Sequence, residues 1–63
     1  MQEKLGNLIR EKRLAKGISQ EKLAEYSDLH RNYVSDVERG QRNISLNNII
    51  KIFNALDIKV EIK

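Results

Sequence analysis

Side chains that can form paired hydrogen bonds cluster in residues 30–43, HRNYVSDVERGQRN. Arg31 offers two parallel donors that match the O6 and N7 acceptors of guanine, and Asn32 can both donate to and accept from adenine. On a helix, Ser35 and Asp36 lie one turn after these two residues and on the same outward face. This face therefore predicts contacts with the edges of base pairs.

Residues around this face are suited to the phosphate backbone of a duplex. Tyr33 can present its hydroxyl to a phosphate or its ring edge to a thymine methyl group. Arg42 and Asn43, in a glycine-containing loop, supply further donors, and Arg39 adds positive charge. His30 is expected to be solvated or adjacent to a phosphate. The alternative is that these are ordinary solvated surface residues.

Apolar residues at spacings of three and four predict a first amphipathic helix over residues 2–16. Its inward face is predicted to contain Leu5, Leu8 and Ile9. Gly17 is predicted to end this helix, because glycine adopts the left-handed conformation at little cost.

Two short helices are predicted next. Ser19 is suited to cap the first of them, which extends to about residue 26. The amides near Ser19 and Gln20 then point toward the position of a phosphate. A turn of about three residues leads to a third helix over residues 30–39. This arrangement predicts a helix-turn-helix unit over about residues 19–39, whose second helix would enter the major groove of DNA.

A fourth helix is predicted to begin after Ser45, which is suited to cap it. Its apolar stripe consists of Leu46, Ile49, Ile52, Phe53 and Leu56. Ile50 widens this stripe, and two interpretations are open: Ile50 forms a dimer or toxin contact, or it packs at the edge of the core.

The C-terminal segment, residues 57–63, alternates polar and apolar side chains, which is typical of a strand. One interpretation is a frayed terminus in which Ile58 covers the core. The other is antiparallel pairing with the same strand of a second molecule, with Ile58, Val60 and Ile62 on its apolar side.

The string GISQEKLAEYSDLHRNYVSDVERGQRNISLNNIIKIFNAL resembles the lambda repressor and Cro-like helix-turn-helix family, also called the XRE family. The markers are the G-x-S-Q-E-x-L-A run at residues 17–24 and the V-S-x-V-E-R-G run at residues 34–40. The resemblance covers residues 5–58. The segment RNYVSDVERGQRN is also similar to the controller proteins of restriction–modification systems, and the alternating C-terminal segment resembles the terminal strand of HipB-like antitoxins.

This resemblance implies an all-α DNA-binding domain of four or five helices. It implies that Gln20 contacts the DNA backbone and sometimes a base, that the first residues of the third helix read bases, and that Arg42 and Asn43 hold phosphates. It also implies a structural ion pair between Arg13 and Glu38.

The composition excludes several classes of protein. Sixty-three residues make one domain, residues 1–63, and the absence of cysteine is compatible with a cytoplasmic location. No run of apolar residues is long enough to cross a membrane. His30, the single histidine, has no partners that predict catalysis or a metal site, so no enzyme activity and no cofactor are expected.

We therefore expect a homodimeric transcriptional regulator that binds double-stranded DNA in a sequence-specific manner. The alternative is a DNA-binding antitoxin whose main partner is a toxin protein. An adaptor that binds only proteins would not need Arg31, Asn32, Arg42 and Asn43 together.

Overall fold

Four helices form where the sequence predicted them. The computed structural model describes residues 2–58 and contains α1 (Gln2–Lys16), α2 (Gln20–Ser27), α3 (Arg31–Glu38) and α4 (Leu46–Ala55). No strand occurs within this range, and the predicted all-α class is confirmed. The predicted strand positions Val60 and Ile62 lie outside the described residues.

Serine side chains fix the starts of two helices. Ser19 Oγ accepts a hydrogen bond from the amide of Lys22 at 3.1 Å, and Ser45 Oγ accepts one from the amide of Asn48 at 3.2 Å. Both bonds satisfy a backbone N–H that has no partner within the helix. His30 occupies the equivalent position before α3 and provides no such bond. The position of α3 must therefore depend on packing.

The core lies where α2 packs against α3 and α4, and where α3 packs against α1. Each helix contributes one fully buried large side chain, and these are Ile9, Leu23, Val34 and Ile52. Ala24, Val37 and Leu56 complete the buried cluster. Burial of one such aliphatic side chain stabilises the fold by about 1.5 to 3 kcal/mol, so a few contacts provide most of the stability of this small domain.

Two of the predicted inward positions are wrong. Leu8 is 37% exposed and Leu46 is 61% exposed. In α1 the buried residues Ile9 and Arg13 are four residues apart and lie on the same side of the helix. Leu8 lies at the edge of this buried side. Leu46 is the first residue of α4 and precedes the part of that helix that meets the core. The later residues Ile52 and Leu56 are buried as predicted.

Gly6 allows α1 to cross α3 at very short range. A Cβ atom at this position would lie 2.4 Å from the carbonyl oxygen of Val37 and 2.7 Å from that of Glu38. Both neighbouring atoms belong to the backbone and cannot rotate away. The crossing of the two helices therefore requires a residue without a side chain.

We predict that Gly6→Ala lowers the free energy of unfolding by roughly 1 to 3 kcal/mol, because overpacking outweighs a gain in helix propensity of at most about 1 kcal/mol. Urea unfolding followed by circular dichroism measures this loss. Asn7→Ala, at the next and exposed position of α1, is the control and should change stability by no more than about 0.5 kcal/mol. A Gly6→Ala protein as stable as the wild type would contradict the close crossing.

Candidate nucleic-acid interface

The N-terminus of α3 presents Arg31 and Asn32 to solvent. Val34 and Val37 are buried on the inner side of the same helix, which fixes the direction of its outer face. Neither the Arg31 nor the Asn32 side chain forms a hydrogen bond or ion pair within residues 2–58. Both side chains are thus available for paired hydrogen bonds to base edges, as the sequence analysis required.

A buried ion pair holds the other end of α3. Arg13 Nε lies 2.7 Å from Glu38 Oε2 and Arg13 Nη2 lies 3.1 Å from Glu38 Oε1, while Arg13 Nη1 donates to the carbonyl oxygen of Ile18 at 2.9 Å. The two side chains are 11% and 3% exposed. The pair implied by the family resemblance is formed, and Arg13 connects α1 both to α3 and to Ile18, two residues before α2.

Gln20 connects the start of α2 to this ion pair. Its side chain is half-buried, and Nε2 donates a hydrogen bond to Glu38 Oε1 at 3.1 Å. Ser19, which caps α2, is exposed beside it. The N-terminus of α2 is thereby fixed relative to α3, and its amides are placed next to the recognition surface that the sequence predicted.

Tyr33 is more constrained than the sequence suggested. It is half-buried, and its hydroxyl oxygen accepts a hydrogen bond from Asn48 Nδ2 of α4 at 3.0 Å. The guanidinium carbon of Arg42 lies 5.1 Å from the centre of the Tyr33 ring, within the range of a cation–π interaction. Tyr33 therefore links α3, α4 and the loop before α4.

Asp36 faces two arginine side chains. Its carboxylate contacts Arg39 Nη2 at 2.7 Å and Arg42 Nε at 3.6 Å. The sequence placed Asp36 among the residues that read bases, and the structure shows a carboxylate that is already engaged. Ser35, by contrast, is half-buried beside the cavity between α1 and α3.

Arg10 also lies beside this surface, although the sequence pattern did not single it out. It is exposed on α1 and lines the same cavity of about 240 Å³ as Gln20, Ser35 and Arg39. Its position three residues before Arg13 places it on the same side of α1, and this spacing was the available signal. His30 and Asn43 are both exposed.

The predicted dimer residues are only partly described. Ile50 is half-buried on α4. Ile58 is also half-buried and packs against the core, and its amide donates to the carbonyl oxygen of Phe53 at 2.9 Å. Val60 and Ile62 lie outside the described range, so pairing of the C-terminal segment stays a prediction.

Residues 2–58 contain no group of three or more metal-ligating side chains that could hold an ion, and none of the helices in this range is long and apolar enough to cross a membrane.

Comparison with known proteins places the chain in a family. The helix-turn-helix family model matches residues 9–63. The control protein C.BamHI of Bacillus amyloliquefaciens is 56% identical over 55 residues, which cover 86% of this chain and 68% of the relative.

Solved structures agree with this match. The restriction–modification controller protein C.AhdI from Aeromonas hydrophila has a TM-score of 0.90 at 59% identity, with 92% of this chain and 88% of that chain covered. The controller protein C.Esp1396I, solved as a tetramer in complex with its natural 35 base-pair operator, has a TM-score of 0.88 at 36% identity, with 92% and 76% covered. These proteins are controllers, and they give no support to the antitoxin alternative or to a toxin partner.

We predict that Glu38→Ala lowers the free energy of unfolding by about 3 to 5 kcal/mol, because Arg13 would stay buried without its counter-charge. Thermal and urea unfolding measure the effect. Glu25→Ala removes a carboxylate from the exposed pair with Lys22 and should change stability by less than about 1 kcal/mol. Equal losses in the two variants would mean that the buried pair has no special role.

Proposed function

Because the chain belongs to the helix-turn-helix controller proteins of restriction–modification systems, which are DNA-binding transcriptional regulators, we propose that it binds its operator as a homodimer through the major groove. The observation that carries this proposal is the exposed pair Arg31 and Asn32 at the start of α3. That helix is held by the buried valines behind it and by the ion pair at its end. A rigid helix with free hydrogen-bonding groups at its N-terminus fits the geometry of major-groove recognition.

The interface divides into two kinds of contact. Arg31 and Asn32, followed one turn later by Ser35, are assigned to base edges, because they share the outer face of α3. Residues that surround this face are assigned to the phosphate backbone, where they set the register of the protein on the duplex. They are Ser19, Gln20, His30, Tyr33, Arg39, Arg42 and Asn43.

A second copy of the chain is part of the proposal. C.Esp1396I is a tetramer on its operator, and helix-turn-helix dimers read half-sites about 34 Å apart, one helical turn of DNA. Ile50, Ile58, Val60 and Ile62 are the candidate dimer residues. A bound dimer can repress transcription by occluding the polymerase, and the same operator contacts also permit activation.

Selection of bound duplexes from a random pool tests the proposed function. Enrichment of a palindromic motif with half-sites about one helical turn apart supports it. Recovery of a random population after repeated rounds would contradict it and would favour a protein that binds only other proteins.

We predict different effects for two arginine variants on the enriched duplex. Arg31→Ala should weaken binding by roughly 1 to 3 kcal/mol and relax the preference at one base position, because a bidentate contact to a base is lost. Arg42→Ala should weaken binding to every duplex alike and make the salt dependence shallower by about 0.9 in log–log slope, because a phosphate contact is lost. Fluorescence anisotropy over a salt series measures both. Identical behaviour of the two variants on all duplexes would contradict the assigned roles.

We predict that the paired substitutions Val60→Ser and Ile62→Ser shift the chain from dimer toward monomer, because they remove the apolar side of the alternating segment. Sedimentation equilibrium measures this shift. Lys59→Ser with Glu61→Ser, at the intervening polar positions, is the matched control and should leave the dimer intact. An unchanged association constant in both proteins would exclude strand pairing as the source of dimerisation.

A further inference from the structure

Asp36 is an acidic residue in a surface that is proposed to bind a polyanion. The side chains assigned above to bases and phosphates are otherwise neutral or basic, and the nearby Glu38 is buried in its ion pair. A carboxylate at such a position opposes the approach of phosphates. Attraction to DNA therefore cannot explain why a carboxylate is present at this position.

The geometry of Asp36 provides this reason. One carboxylate oxygen faces Arg39 at 2.7 Å and the other faces Arg42 at 3.6 Å, so a single acid is shared by two arginines. The Asp36 side chain is 29% exposed, whereas those of Arg39 and Arg42 are 59% and 52% exposed. The carboxylate thus lies beneath two guanidinium groups that reach further into solvent.

Asp36 contacts two arginines that follow α3, and one of them connects it indirectly to α4. Arg39 follows the last residue of α3, and Arg42 belongs to the loop between α3 and α4. Arg42 also lies over the ring of Tyr33, whose hydroxyl is held by Asn48 of α4. Asp36 therefore fixes both arginines relative to the recognition helix, while Arg31 has no such restraint within residues 2–58.

We propose that Asp36 is a positioning residue that raises sequence specificity by holding Arg39 and Arg42 and by competing with phosphates for them. This inference rests on the proposed function and assigns Asp36 a role other than base reading. A carboxylate offers a guanidinium group the same kind of charged acceptor as a phosphate. The phosphates of a duplex must therefore displace the Asp36 carboxylate from the two arginines, or share the arginines with it.

The competition affects the two kinds of binding unequally. Binding to arbitrary sequences comes almost entirely from neutralised phosphates, so a partly occupied arginine pair weakens it directly. Binding to an operator also includes the base contacts of Arg31 and Asn32, which fix the position of α3, so that Arg39 and Arg42 reach their phosphates from the positions in which Asp36 holds them. On other sequences α3 lacks this fixed position, and the arginines must leave Asp36 to reach a phosphate. Specificity is the difference between the two affinities. The acid therefore increases this difference by lowering non-specific affinity more than operator affinity.

The test is Asp36→Asn, which keeps the shape of the side chain and removes its charge. Affinity for a random-sequence duplex should rise by about 2- to 10-fold, with a log–log salt slope steeper by about 0.9. Affinity for the enriched duplex should change less, so the ratio of the two affinities falls. Glu25→Gln is the matched control, because it removes one negative charge from another exposed pair spaced by three residues, and it should leave the ratio unchanged.

A double-variant background shows whether Asp36 acts through the two arginines. In a protein that carries Arg39→Ala and Arg42→Ala, the further change Asp36→Asn should no longer raise affinity for the random-sequence duplex. Loss of the gain supports the proposal. A gain that persists in this background, or that Glu25→Gln reproduces, would assign the effect to net charge and overturn the proposal.

Other outcomes overturn the proposal in distinguishable ways. If Asp36 reads a base, Asp36→Asn lowers operator affinity and relaxes one base preference, with non-specific affinity unchanged. If Asp36 only stabilises α3, both affinities fall together with the unfolding midpoint. Neither of these two results contradicts the proposed function, as long as the wild-type protein prefers the enriched duplex to a random-sequence duplex. A wild-type protein without any preference contradicts the proposed function and, with it, the role of Asp36.

Discussion

The pair Arg13 and Glu38 is the interaction on which the recognition surface depends. Glu38 is the last residue of α3, and both of its carboxylate oxygens accept hydrogen bonds, from Arg13 and from Gln20. A buried carboxylate is tolerated only when its charge is paired and its oxygens are satisfied. These requirements are met by one side chain from α1 and one from α2. The end of α3 is thereby fixed to both helices, with Gly6 allowing the close approach to α1.

Packing has to position α3, because little else stabilises it as a helix. It has eight residues and no side-chain cap at its N-terminus, and isolated helices shorter than about 12 residues are marginal in water. Val34 and Val37 bury its inner side, and Tyr33 reaches Asn48 of α4. The side chains of Arg31 and Asn32, at the polar N-terminus of α3, are therefore not needed to stabilise the fold. This leaves them available to contact bases.

Periodicity predicted the four helices because each of them buries an apolar stripe, and the capping residues Ser19 and Ser45 marked two of the starts. Leu46 was misplaced because a stripe does not show where along a helix the core begins. The remaining misses are long-range contacts. The need for Gly6 depends on carbonyl groups about 30 residues away, and the engagement of Asp36 depends on the path of the loop that carries Arg42. The local sequence pattern predicts neither of these two long-range contacts.

The same surface illustrates why net charge is a weak guide to the specificity of such a protein. The chain carries only +3, and part of the positive charge beside α3 is opposed by Asp36. A larger excess of charge would strengthen binding to any duplex, because counterion release does not depend on sequence. Discrimination has to come from groups that are aimed at base edges or from contacts that form fully only on the correct site. Unrestrained Arg31 meets the first requirement, and Arg39 and Arg42, which Asp36 holds in place, meet the second.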